Sequence, residues 1–285
     1  MKKISTHQTL FLILLFISCI TIAQSQESKT KDESSKVPIK IGAKVGYSLG
    51  KLTSSNENIY TVDYESVSGV DFGFTVEFQL NDLISIQPEV NFTQRGGKRI
   101  GMQPVFATEL TNQLNQFLPF IGKPIITADN PLYAKYESES DLKYLEVPVL
   151  IKFGWGDDFR FYGEIGPYVG ILLCATQETQ GQSQFYFGSS ETNPVIVPNP
   201  SGNPPLVPLP SQSLNASTKI KENLSTVNFG GIIGLGVIKK INDKSEIYVD
   251  ARASYGFNAI QLQDTYGESN IGGVIFSIGY AYSLL

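Results

Sequence analysis

The side chains best suited to chemistry are scarce in this sequence. It has one histidine, His7, and two cysteines, Cys19 and Cys174. Histidine is the usual general acid or base near neutral pH, and together with cysteine it forms most zinc and copper sites. Because His7 lies in an N-terminal segment that we expect to be removed, we expect neither histidine-based catalysis nor a metal site in the mature protein.

Three glutamates are the remaining candidates for catalysis. A pair drawn from Glu89, Glu146 and Glu164 could supply the two carboxylates of glycoside hydrolysis. We favour a structural interpretation, in which these glutamates pair with lysines and arginines in a closed interior, and we expect no enzyme activity and no cofactor. The predicted polar network of that interior is Lys44, Glu77, Glu89, Arg95, Glu146, Lys152, Arg160, Glu164, Asp250 and Arg252.

The N-terminus has the pattern of a secretory signal. Two lysines precede an apolar run, Leu10 to Ile17, that is too short to span a bilayer as a helix. Cleavage is predicted after Ala23. A lipoprotein signal with Cys19 lipid-anchored is the alternative. The predicted divisions are a signal peptide over 1–23, a disordered periplasmic leader over 24–36 and a folded domain over 37–285.

Charge and hydropathy restrict the partners of the mature chain. Removing the signal takes away two lysines and no acids, which leaves 20 basic and 27 acidic side chains and a net charge of −7. Nucleic acid is a poor partner for such a chain. Beyond the signal there is no apolar run of the roughly 18 residues that a transmembrane helix needs. Insertion into a membrane would therefore require a closed β-barrel, which satisfies every backbone N–H and C=O internally.

The rest of the chain shows the alternation of β-strands. In the segment IKIGAKVGYSLG, aliphatic and aromatic residues alternate with lysine, glycine and serine. Pro88 interrupts the third strand, where we expect a bulge or a local widening. The eight predicted strands are 39–50, 70–80, 84–95, 144–153, 160–173, 227–238, 246–257 and 274–284.

The distribution of charge distinguishes a membrane barrel from a secreted soluble barrel with an apolar interior. In these strands the charged residues share a face with the glycines, and the other face is almost entirely aliphatic and aromatic. An Arg or Lys facing lipid near the midplane would cost on the order of 2–4 kcal/mol. The charged face must then point inward, and Tyr47, Tyr255 and Tyr282 suit an interfacial aromatic girdle.

Connection lengths complete the predicted fold. They alternate between long and short without exception, as in outer-membrane barrels with long extracellular loops and short periplasmic turns. The three longest predicted loops are Lys51 to Ser68, Gly96 to Asp141 and Ala175 to Ser225, and the last contains a proline-dense stretch expected to be extended or mobile. We predict an all-β fold, a closed eight-stranded antiparallel up-and-down transmembrane barrel.

Several strands together resemble a known family. QPEV (Gln87 to Val90) with the following GGK, and YLEVPVLIKF (Tyr144 to Phe153), are the most specific segments. Over Ile39 to Leu285 the chain resembles the PorT-like outer-membrane barrel family of Bacteroidetes. One departure is the C-terminus, where the outward series ends at Leu284 instead of an aromatic residue. The resemblance implies an outer-membrane location more firmly than an activity, although some members are associated with protein secretion and gliding.

The expected function is binding through the long loops. Loops beyond roughly 15 residues are usually functional or disordered. We expect a scaffold barrel in contact with outer-membrane lipid, with the barrel assembly machinery during biogenesis and with a protein partner at the loops, such as one in secretion or surface assembly. A small pore, or a secreted soluble barrel that binds a small ligand, is the alternative.

Overall fold

The computed structural model of the protein describes residues 37–56, 59–61, 63–105, 109–263 and 267–284. The predicted signal peptide, its cleavage site, Cys19 and the leader lie outside these ranges. Within them, no helix has the length and apolarity needed to cross a membrane.

Strands dominate the described chain, and short elements fill the two longest connections. The strands are β1 (Ile39–Asn56), β2 (Val67–Gln79), β3 (Ile84–Val105), β4 (Leu132–Trp155), β5 (Phe159–Gln180), β6 (Gln182–Ser183), β7 (Ile196–Pro198), β8 (Leu206–Pro208), β9 (Gln212–Ser213), β10 (Ala216–Lys219), β11 (Val227–Lys240), β12 (Ser245–Gly256) and β13 (Glu268–Ser283). The helical elements are α1 (Glu109–Phe117) and two 3₁₀ turns (Leu118–Ile121 and Lys221–Asn223).

Eight of the strands close into a barrel. Each of β1 to β4 pairs antiparallel with the next strand, β5 pairs with β11, and β11 continues through β12 to β13. β13 then pairs with β1 along nearly its whole length, from Lys40 opposite Ser283 to Asn56 opposite Glu268. The ring leaves no open edge in the barrel wall, so the backbone groups of every wall strand have partners. The predicted eight-stranded antiparallel barrel is confirmed.

The barrel has an apolar outer wall and a polar interior. Phe72, Val149 and Phe276 are 49%, 43% and 52% exposed on the outside. Lys152 and Arg252, by contrast, are buried inside at 4% and 2% exposure. A water-soluble barrel would have the opposite arrangement, so the outer wall is built to face lipid.

The height of the apolar wall fits a bilayer. On β4 every outward residue from Leu145 to Trp155 is apolar, and Lys143 is the first charge above them. Ten residues at about 3.3 Å each, tilted by about 40°, span roughly 25 Å, which is the usual apolar band of such barrels. Tyr47 and Tyr255 lie near one rim and Tyr282 near the other, each partly exposed as an interfacial girdle requires.

Several strands are longer than the sequence indicated. The predicted loop from Gly96 to Asp141 is wrong at both ends, because β3 and β4 remain paired over 96–105 and 132–141. In the same way β1 runs to Asn56 and β5 runs to Gln180. Outside the membrane neither face of a strand has to be apolar, so the alternation ends although the backbone ladder continues.

At Pro88 the wall shows one of the two predicted irregularities. Thr75 lies opposite Glu89 and Phe78 opposite Ile86, so the register is unchanged and no residue is inserted as in a bulge. The pairing with β2 is interrupted between these two positions, which fits the predicted local widening. The register shifts instead between Lys143 and Tyr144, where β4 meets β5 at the top of the apolar band. A bulge at this position lies where the strands leave the membrane and become a polar extension.

The outer wall generates a test. Phe74 is 69% exposed near mid-height on β2, so Phe74→Arg is expected to lower the free energy of unfolding in lipid vesicles by about 2–4 kcal/mol. Urea titration followed by the fluorescence of the single tryptophan, Trp155, measures it. Phe74→Leu is the matched control and should change stability little. A loss below about 1 kcal/mol for the arginine variant would show that this face does not meet lipid.

Candidate functional site

Glu89 is the centre of the ionic network in the lumen. Its carboxylate lies 2.9 Å from Lys44 Nζ and 2.8 Å from Arg252 Nη1, and it accepts hydrogen bonds from Gln87 and Asn91. Lys44, Arg252 and Asn91 converge on Oε2, and Gln87 donates to Oε1, so both carboxylate oxygens have partners. The residue is 2% exposed.

Arg252 joins this centre to two further acids. Its Nε lies 2.5 Å from Glu164, and its Nη2 lies 3.3 Å from Asp250. Asp250 also accepts hydrogen bonds from the hydroxyls of Tyr162 and Ser277. One guanidinium therefore connects three carboxylates, a geometry for which its fork of five N–H donors is suited.

Two smaller ion pairs lie on either side of the centre. Toward the short turns, Lys152 Nζ lies 3.1 Å from Glu77 and 2.9 Å from the side-chain oxygen of Gln87. Toward the long loops, Arg95 lies 2.9 Å from Glu146. Both pairs are desolvated, so removal of one partner would leave an uncompensated buried charge.

The structure brings nine of the ten predicted network residues into the interior, and Arg160 is the exception. Its guanidinium donates to the backbone oxygens of Asp82 and Gly154, two groups beside the short turns. The alternation of residues predicts the face of the sheet on which a side chain lies, but not its height in the barrel. Arg160 is the second residue of β5 and therefore lies at the rim. Asp71 was missed, although it is fully buried, bonds Thr93 and lies 3.7 Å from Lys44. Asp71 lies two residues before Gly73 and so shares its face of the strand, and this position could have indicated that Asp71 faces the lumen.

Apolar layers bound the network at both ends. Near the short turns, Tyr162, Ile238, Tyr248 and Ala281 pack together. Near the long loops a larger cluster closes the mouth, and its members come from four wall strands and two loops. They are Leu52, Leu142, Tyr144, Leu172, Ala175, Leu224, Ile260 and Ile271. The charged centre is thus enclosed in packed side chains instead of lining a water-filled passage.

Above the mouth, a group of strands extends out of the barrel. We define the stalk as residues 96–105 of β3, 132–143 of β4, 174–180 of β5 and the added strand β10, which pairs with β5. Arg99 lies inside it, donates to the backbone oxygens of residues 59 and 60, and stacks on Tyr64 at 5.7 Å. Burial raises the pKa of the Tyr64 and Tyr136 phenols, although Arg99 acts in the opposite direction. Both tyrosines are therefore neutral at physiological pH.

A lobe with its own core sits on the stalk. We define the lobe as residues 109–131 and 181–215. Its core joins α1 and the following 3₁₀ turn to the proline-dense segment, and Leu132 and Ala134 of β4 complete it from below. The buried members are Leu114, Leu118, Ile126, Leu132, Ala134, Phe185 and Val195. The sequence alone does not reveal this core, because its residues come from two distant segments that show no hydrophobic periodicity.

The outermost part of the lobe is a proline-rich hairpin, which we define as residues 194–210. β7 and β8 pair with Val197 opposite Val207. The stem is fixed by Val195, which is fully buried, and by a 2.7 Å bond from Leu209 N to Val195 O. The tip, residues 200–205, is exposed.

The family of the chain follows from a comparison with known proteins. Residues 22–261 match the family described as outer membrane protein beta-barrel domain. The chain belongs to this family. The apolar wall is therefore the surface that an outer-membrane barrel turns to lipid. No curated protein sequence matches the chain.

Solved outer-membrane barrels are similar to the chain at low identity. Neisserial surface protein A is 10% identical, with 86% of this chain and 97% of that one covered and a TM-score of 0.36. Ail of Yersinia pestis, solved with the heparin analogue sucrose octasulfate, is 13% identical. The match covers 85% of this chain and 98% of Ail, with a TM-score of 0.34. OprG of Pseudomonas aeruginosa is 11% identical, and the match covers 87% of this chain and 96% of OprG with a TM-score of 0.37. Nothing about function follows from similarity at this level.

Cations of the protein itself engage the carboxylates of the lumen. Across the described ranges, no group of three or more His, Cys, Asp or Glu side chains is placed to hold an ion. The arginines and lysines of the lumen are paired with the carboxylates that a metal would need.

The lumen network generates a second test. Glu89→Gln keeps the shape of the side chain and removes the charge that holds Lys44 and Arg252, so we expect a loss of about 3–5 kcal/mol in the free energy of unfolding. Glu137→Gln, which breaks the partly exposed pair with Lys98, is the control and should cost no more than about 1 kcal/mol. Equal losses in the two variants would contradict a central role for Glu89. Urea titration in vesicles measures both.

Proposed function

We propose that the protein is a non-enzymatic binding barrel that presents its lobe to a partner outside the cell. The observation that carries the proposal is the contrast between the two ends of the molecule. The lumen is filled and closed by ion pairs and apolar layers, whereas the residues beyond the membrane build a separate packed lobe. The residues beyond the membrane thus form an exposed lobe, and the side chains of the lumen fill the space that a passage would need.

The closed lumen argues against the alternative of a small pore. Eight strands leave an interior that side chains can fill, and here Arg252 and Glu89 meet at its centre. Leu142 and Leu172 of the mouth cluster are fully buried. An ion would have to separate buried ion pairs and then cross an apolar layer, and each step is unfavourable.

The same geometry supports the absence of hydrolytic activity. Glu89 and Glu164 are both bound by Arg252, and Glu146 is bound by Arg95. A glycosidase needs two carboxylates that flank an accessible sugar. These three are buried between apolar layers, where a sugar has no access.

We infer that the barrel is a PorT-like member of its family, on the QPEV and YLEVPVLIKF segments, and that it is exported with cleavage after Ala23. A protein partner in secretion or surface assembly is one form of the proposed binding function.

Electrical recording tests the closed lumen. The purified barrel, inserted in planar bilayers, is expected to show no stable ohmic conductance, because the network and both apolar layers occupy the lumen. Sealed bilayers with a known porin incorporated under the same conditions provide the positive control. A reproducible conductance step that scales with salt concentration would favour the pore.

Crosslinking tests the lobe. Treating intact cells with a membrane-impermeant crosslinker is expected to give a specific adduct of the full-length protein, and deletion of residues 194–210 is expected to remove it. Because the hairpin lies outside the barrel, Trp155 fluorescence in vesicles should show that the barrel of this variant still folds, although the lobe loses Val195 from its core. An unchanged adduct pattern after the deletion would count against the lobe as the binding element.

A further inference from the structure

The lobe has an unusual electrostatic character. Of all its residues only Glu109, Lys123, Asp129 and Glu191 are charged, and Glu191 is the single charge in residues 181–215. The ammonium of Lys123 lies 5.5 Å from the ring centre of Phe187. A partner recognised through opposite charge, such as a nucleic acid or a sulfated polymer, would find little to bind there.

The edges of the hairpin have an excess of hydrogen-bond acceptors. Asn199 N bonds Pro205 O and Leu209 N bonds Val195 O, so the odd-numbered residues bond across the hairpin. In an antiparallel ladder the intervening residues point their backbone groups away from the partner strand. These are Ile196 and Pro198 on β7 and Leu206 and Pro208 on β8. Each offers an outward carbonyl, but the two prolines offer no N–H.

This arrangement disfavours one common mode of protein binding. An added β-strand needs alternating donors and acceptors along the edge, and proline at every second outward position removes every second donor. The carbonyls instead suit a ligand that is rich in donors. Hydroxyl groups are such donors, and a neutral sugar carries several on each ring.

An exposed aromatic ring in the same lobe supplies the apolar contact that sugars need. Phe120 is 87% exposed, although Leu118 in the same turn is buried in the lobe core. Val197 and Leu209 of the hairpin pack against this same core. The exposed ring offers a flat apolar face on which the C–H face of a pyranose can stack. The lobe is also rich in Asn, Gln and Ser, the adaptable polar residues of recognition surfaces.

We propose that the hairpin edges and Phe120 form a binding site for neutral polysaccharide. The inference rests on the proposed function, because it names the partner class of the lobe. Outward carbonyls accept hydrogen bonds from sugar hydroxyls, Phe120 stacks on a ring, and the near absence of charge sets the preference for uncharged chains.

The test is a titration of the full barrel in lipid nanodiscs with dextran, laminarin, mannan and, as the charged comparator, dextran sulfate. We expect saturable binding to at least one neutral polymer, unchanged between 50 and 500 mM NaCl, because charge screening does not affect it. Dextran sulfate should bind at least fivefold more weakly. Phe120→Ala should weaken neutral binding at least fivefold, and deletion of residues 194–210 should abolish it.

The control is Leu262→Ala, which removes an apolar side chain of 60% exposure outside the lobe and should leave binding unchanged. Phe120 is so exposed that its replacement is not expected to affect folding, and Trp155 fluorescence verifies this. Absence of binding to all three neutral polymers, or equal binding by the Phe120 variant, would overturn the inference. If a crosslinked protein still depends on residues 194–210, the proposed function stands and a protein is the partner.

Discussion

A bilayer offers no hydrogen bonds, and most of this molecule follows from that constraint. The wall must close, because an open strand edge in hydrocarbon would leave backbone groups unpaired. Once it closes, the apolar residues must point outward, so that the polar residues of every strand are forced together at the centre. The pairing of Arg252 with Glu89 and Glu164 is therefore a consequence of the membrane. In water the same strands could have buried Phe72 and Phe276 instead.

The membrane also explains which parts of the structure the sequence could predict. Lipid and lumen place opposite demands on alternate residues, so Phe72 and Val149 were assignable to the outer wall and Lys152 to the interior. The apolar band ends at Lys143, and beyond this residue the sequence did not predict that β3 and β4 remain paired. β3 and β4 continue beyond this residue without a continuous apolar face. A search for strands with one apolar face cannot detect them.

Within the lumen, periodicity gave the face but not the contacts. Arg160 has the correct alternation, yet it lies at the rim and bonds carbonyls there. Asp71 was on the predicted inner face, but its pairing with Thr93 and Lys44 depends on the stagger between strands. The lobe was less accessible still, because Leu114 and Val195 meet through folding of two segments that share no repeat.

The stalk determines how the lobe would carry a load. Because it is a continuation of the wall strands, tension applied to the hairpin would run along β3, β4 and β5 into the membrane. The ladder bonds between them would then be loaded in shear, many at once, instead of opening one after another. Resistance to forced unfolding depends on the unfolding rate, and this geometry should keep that rate low. The barrel would thus be a firm anchor for whatever attaches outside the cell.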